Sequence, residues 1–207
     1  MTIHHYDTVE TFPDKRIPDP HQDAYSRSTL GFWIYLMTDC ILFAALFVTY
    51  AVLKESTFGG PSSKDIFELK TAFIETMILL FSTVTCGMAV LAAVKGKMQS
   101  IRTWLGLSFL LGASFIFLEL REFSHLVHEG FSWEKSAFLS SFFTLVGTHG
   151  FHVSVGLLWM AVMMAQISFC GVTVDTFRRL VLFSLFWHFL DLIWIFIFTF
   201  VYLLGVL

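Results

Sequence analysis

Five long apolar runs separated by short polar stretches set the pattern of the chain: Leu30 to Leu53, Thr71 to Val94, Thr103 to Leu120, Phe138 to Phe169 and Leu180 to Leu207. A bilayer core of about 30 Å takes roughly 20 predominantly apolar residues of helix, and each run is of that order. None contains proline. Beyond the N-terminal segment the only proline is Pro61, beside Gly59 and Gly60 in the loop Lys54 to Lys70. The pattern predicts an all-α fold, a polytopic membrane helix bundle of five unbroken transmembrane helices over 29–207, after a polar arm over 1–28. That arm carries Pro13, Pro18 and Pro20 and lacks the apolar stretch and cleavage site of a signal peptide, so the first run is expected to stay in the mature protein.

Composition agrees with the pattern. Of 207 residues, 56% are hydrophobic and only 14% charged, against roughly 25% charged in soluble domains. With a formal net charge of −3 and no Lys/Arg run, no basic field is present to hold nucleic acid. Cys40, Cys86 and Cys170 lie in or beside apolar runs, without the Cys-x-x-Cys spacing of a zinc or redox pair, and read as buried thiols. Basic residues favour the cytoplasmic side of short loops. With the N-terminus inside, that side collects Lys15, Arg16, Arg27, Lys95, Lys97, Arg102, Arg178 and Arg179, eight of the 13 Lys and Arg. The expectation is N-terminus cytoplasmic, C-terminus periplasmic. Trp33 and Trp104 fall at cytoplasmic run ends, as interfacial rings do, whereas Trp187 and Trp194 lie deeper.

Ionisable groups within hydrocarbon are costly, so the few present are the candidate functional residues. Asp39 in the first run, His149 and His152 in the fourth, and His188 and Asp191 in the fifth all count to about mid-membrane at about 1.5 Å per residue. His149 with His152, and His188 with Asp191, have the three-residue spacing of neighbours on one helix face. Three readings stand side by side: a buried polar layer hydrogen-bonding the helices together, a proton relay, or a metal or haem site. A carboxylate di-iron bundle is disfavoured because its inward Glu-x-x-His motifs are absent. A second set, Glu75, Glu119, Arg121, Glu122 and His125, gathers at helix ends on the non-cytoplasmic side. It reads either as a solvated charged face continuing toward His128 or as an ion pair joining Arg121 or His125 to Glu75.

Phe186-Trp187-His188-Phe189-Leu190-Asp191-Leu192-Ile193-Trp194, together with Thr148-His149-Gly150-Phe151-His152-Val153, resembles the signature pair of the haem–copper oxidase subunit III family. The likeness extends to Gly31-Phe32-Trp33-Ile34-Tyr35-Leu36-Met37-Thr38-Asp39-Cys40, to Gly59-Gly60-Pro61 followed by Lys64-Asp65-Ile66-Phe67-Glu68-Leu69, and to Trp159-Met160-Ala161-Val162. Five helices rather than seven, with those loop residues, resemble the quinol-oxidase branch. The resemblance implies a non-redox subunit of a proton-pumping quinol oxidase in the bacterial inner membrane, partnered by subunit I, which holds the haems and copper. It also implies bound phospholipid, and it argues against haem or metal ligation by His149, His152 or His188. The family often has glutamate where Asp39 stands, and the shorter carboxylate loses reach, so the family's proton-antenna role is not carried over. The alternatives are an accessory subunit of nitric-oxide reductase, which shares the His-Phe-x-Asp segment, and a stand-alone proton-coupled transporter, for which broken helices or inverted repeats are expected.

Overall fold

The structure, a computed structural model, describes residues 23–57 and 69–206. Five long helices follow one another: α1 (Asp23–Leu53), α2 (Leu69–Val94), α3 (Met98–His128), α4 (Ala137–Cys170) and α5 (Val174–Ile197). The last continues through a π-helical turn, Phe198–Leu203, into a final turn, Leu204–Val206. All five are long and apolar enough to cross a membrane. Most of the N-terminal arm and of the loop containing Gly59 to Glu68 lies outside the described residues, whereas Asp23 to Ser28 belongs to α1.

Short turns fix neighbours as antiparallel pairs. Gly96 (φ 65°) and Gly171 (φ 74°) take the left-handed backbone that lets α2 turn into α3 and α4 into α5. The Ser136 and Thr173 side chains accept the backbone N–H of Leu139 and Thr176, capping α4 and α5 at 3.1 and 3.2 Å. Packing closes α2, α3, α4 and α5 into a ring in which each touches the next and α5 returns to α2. Helix α1 leans on α4 and α5 from outside. It buries one stripe, Leu36, Asp39, Phe43 and Tyr50, and leaves Leu30, Ile34, Ile41, Val48 and Val52 exposed. A helix apolar on both its buried and exposed faces is what lipid surroundings select.

Two expectations change. The third helix runs from Met98 to His128, well beyond the apolar run Thr103 to Leu120. The fifth is not an unbroken α-helix, because a π turn occupies Phe198–Leu203 without any proline to mark it. At about 100° per residue, an ideal α-helix sets Tyr202 roughly 80° away from Trp194. Wider π turns rotate less per residue, and Tyr202 comes round to face inward, its ring 6.1 Å from that of Trp194.

Candidate functional site: buried polar groups of the bundle

Where the four ring helices meet, Trp187 fills the centre. Its ring occupies the space that side chains at Gly112 of α3 and Gly156 of α4 would need: a Cβ at either position stands 2.9 or 2.7 Å from the indole. Its Nε1–H donates to the Ser82 hydroxyl at 3.1 Å. Ser82 and Ser108 exchange hydrogen bonds, each hydroxyl donating to the other's backbone carbonyl at 3.0 and 2.9 Å. Two turns on, the Trp194 Nε1–H donates to Thr76 at 3.1 Å. Small residues and hydroxyls that let helices approach and bond are the common currency of membrane packing. Neither serine, nor Thr76, nor either glycine stands out in the sequence, because such residues gain meaning only when a bulky partner on another helix is known.

The central polar layer separates into two seams. On the α1–α4 side, His152 Nε2 faces Asp39 Oδ2 at 3.8 Å, while its Nδ1 lies 2.7 Å from the Thr148 carbonyl. A carbonyl can only accept, so Nδ1 carries the proton in that bond. On the α2–α5 side, Thr83 donates to Asp191 at 3.2 Å, and His188 Nδ1 donates to the Ser184 carbonyl at 2.7 Å. No hydrogen bond among the described residues joins His149 or His152 to His188 or Asp191, so the polar layer does not bond the fourth helix to the fifth, and its pairs are Asp39 with His152 and Thr83 with Asp191.

His188 is exposed, whereas the sequence reading placed it in the buried layer. The cause is angular. Trp187, Asp191 and Trp194 share the inward face at four- and seven-residue spacing, and the residue after Trp187 is turned about 100° away.

His149 is fully buried, with neither ring nitrogen hydrogen-bonded. It is enclosed by aromatic rings, with centroids at 5.2 Å for Trp194, 5.9 Å for Phe115 and 6.3 Å for Phe43. Inward His149 and outward His188 do not oppose one another as a pair of axial haem ligands must. Among the described residues no three His, Cys, Asp or Glu side chains converge as a metal-ligand set.

The set expected at the helix ends divides instead. Arg121 and His125 are exposed, and His125 pairs with Glu129 at 3.7 Å. Glu75 and Glu119 are buried, at 0% and 3% exposure, and their four carboxyl oxygens lack hydrogen-bond partners. Neither the solvated face nor the ion pair to Glu75 describes them. Both carboxyls lie within electrostatic range of Glu122, which accepts from the Tyr202 hydroxyl at 3.2 Å. The Glu119 carboxyl rests on Gly150, where a Cβ would come within 2.5 Å of it. Glu119 therefore sits at the level of His149, inside the bundle rather than at its boundary.

A family model described as cytochrome c oxidase subunit III matches residues 21–206. The chain is 55% identical over 203 residues to cytochrome bo(3) ubiquinol oxidase subunit 3 of Pseudomonas aeruginosa, covering 94% of this chain and 97% of that protein. It is 56% identical over 185 residues to the protein of the same name from Pseudomonas putida, covering 89% of each. It is also 42% identical over 199 residues to a cytochrome c oxidase subunit 3 of a Bacillus species, covering 96% and 95%. Near-complete coverage of that last relative shows that chain length does not separate the two kinds of oxidase.

Proposed function

The chain belongs to the cytochrome c oxidase subunit III family, and from that premise we propose that it is the non-redox third subunit of a proton-pumping quinol oxidase of the bacterial inner membrane. Its partners are then the haem- and copper-bearing subunit I and the other subunits of the complex, and its role is their assembly and stability during turnover. The identity to two ubiquinol oxidase subunits supports quinol as the donor to that complex.

The observation that carries the structural role is where the intramembrane polar groups go. Thr83 with Asp191, Thr76 with Trp194, and Ser82 with Ser108 and Trp187 each hydrogen-bond across two helices, and Asp39 faces His152 across a third contact. Such bonds contribute about 0.6 kcal/mol each on average and up to about 1.7 kcal/mol. They hold a scaffold in register.

Phospholipid is the expected non-protein ligand. A cavity of about 840 Å³ opens between α1 and the end of α5, walled by Phe47, Val48, Phe196, Phe200 and Leu204, with Lys54 at its rim. Apolar walls suit an acyl chain, and an ammonium at the edge suits a phosphate. Lys54→Glu is expected to lower the phospholipid retained per mole of purified complex.

Replacing Asp191 tests the scaffold role. Asp191→Asn keeps the acceptor for Thr83, whereas Asp191→Leu does not, so the leucine variant loses more subunit from the purified complex and inactivates faster during turnover. The initial oxidase rate per haem changes little in either. A fully retained subunit with an immediate, large fall in that rate would replace the scaffold by a proton path through Asp191. Orientation is tested by reporters active only in the periplasm: activity is expected at the C-terminus and not at the N-terminus.

A further inference from the structure

His188 lies fourteen residues past Val174, about 21 Å along α5 at about 1.5 Å per residue, well inside a hydrocarbon layer about 30 Å thick. It is nevertheless on the outside of the bundle. Its Nδ1–H is committed to the Ser184 carbonyl at 2.7 Å, which makes Nε2 the acceptor of the neutral ring. No described residue donates to Nε2, and the ring lies over Gly87 of α2, whose absent Cβ would be 4.0 Å from that nitrogen. Val84 and Leu91 of α2 and Leu192 of α5 are exposed on these same two helices. The patch is thus apolar with one imidazole acceptor over a glycine, at a depth where acyl chains offer no donor. Polar groups at that depth face a protein partner or a water-filled cavity.

We propose that the α2–α5 seam around His188 and Gly87 is a docking face for a transmembrane helix of another subunit, one that presents a hydrogen-bond donor to His188 Nε2 at mid-membrane. Serine, threonine, asparagine or glutamine at the matching depth supplies the donor. The proposal rests on the reading of this chain as a subunit of a larger complex.

The test places a benzophenone-bearing phenylalanine at position 188 and irradiates membranes containing the whole complex. The expected product is an adduct to one transmembrane helix of a subunit that co-purifies with the oxidase, mapped by mass spectrometry. Should the bulky probe prevent assembly, the same probe at Leu91, exposed four residues after Gly87, reports on the same face. In parallel, His188→Gln keeps an acceptor and retains the subunit as the unmodified chain does, while His188→Leu lowers retention about threefold, the effect of one average interhelical bond. An intact complex with adducts to lipid only overturns the proposal and leaves the functional reading standing. A chain that purifies with no other subunit overturns both.

Discussion

Two interior regions of the same ring contain polar side chains at similar burial and treat them in opposite ways. Around Trp187, every polar atom contributed by Ser82, Ser108 and the indole is paired, and glycines on α3 and α4 make room for the ring. Around His149, the nitrogens of the imidazole and the four oxygens of Glu75 and Glu119 have no hydrogen-bond partner among the described residues. The imidazole is enclosed by Phe115, Trp194 and Phe43. The first region is adhesive, since each bond ties two helices together. The second is held by shape, so its polar atoms contribute nothing to cohesion that a neutral group of equal volume would not. Polarity inside a membrane is therefore no guide to cohesion until the partners are known.

The sharpest way to break the contrast is to overfill the Trp187 region. Gly156→Leu drives a branched side chain into space where the first carbon already stands 2.7 Å from the indole and 3.3 Å from Phe186. Overpacking of this kind costs typically 1–3 kcal/mol and occasionally more, and about 3 kcal/mol or above is expected here. Detergent unfolding, followed by the fraction of folded subunit, measures it. An unaffected protein would mean that Trp187 has another place to go.

Next in size is Gly150→Ala, which meets the Glu119 carboxyl and should cost about 2 kcal/mol by the same measurement. The pair supplies its own control. In a Glu119→Ala background the clash is gone, and the double-mutant cycle should return a coupling of about 1 kcal/mol or more. Strict additivity would show that the two residues do not touch.

Ser82→Val follows. It leaves the Trp187 N–H without its acceptor and removes one half of the exchange with Ser108, for an expected loss of about 1–2 kcal/mol. If Ser82→Val were neutral, the paired region would be held by shape as well, and the distinction between the two would fall.

The five spans were legible from run length alone, because a bilayer imposes one apolar length on every helix. Burial within them was not. Depth along a helix can be counted, but the direction of a side chain depends on which of several apolar faces meets protein, and here both faces are apolar. His188 and Trp187 are adjacent and equally deep, yet one is exposed and one buried. Glu75 and Glu119 read as boundary charges for the same reason, since distance from the run end says nothing about the glycine of α4 that admits a carboxyl to the interior. The π turn at Phe198–Leu203 had no marker in the sequence, and within it Tyr202 is buried and donates to Glu122 on another helix.

The smallest effect expected is the most informative about the unpaired region. Glu119→Gln preserves the length and volume that rest on Gly150 and exchanges one oxygen for an NH₂ group. Hydrogen-bond deletions are costly chiefly through the partner left behind. Glu119 has no hydrogen-bond partner to strand, so stability and subunit retention should shift by less than about 1 kcal/mol, below the effect of Ser82→Val. The initial oxidase rate per haem should also hold. A tenfold or greater fall in rate with the subunit fully retained would show that the exchangeable proton of this carboxyl, not its bulk, is what the buried position preserves. The region around His149 would then be the working part of the bundle and the Trp187 region only its frame.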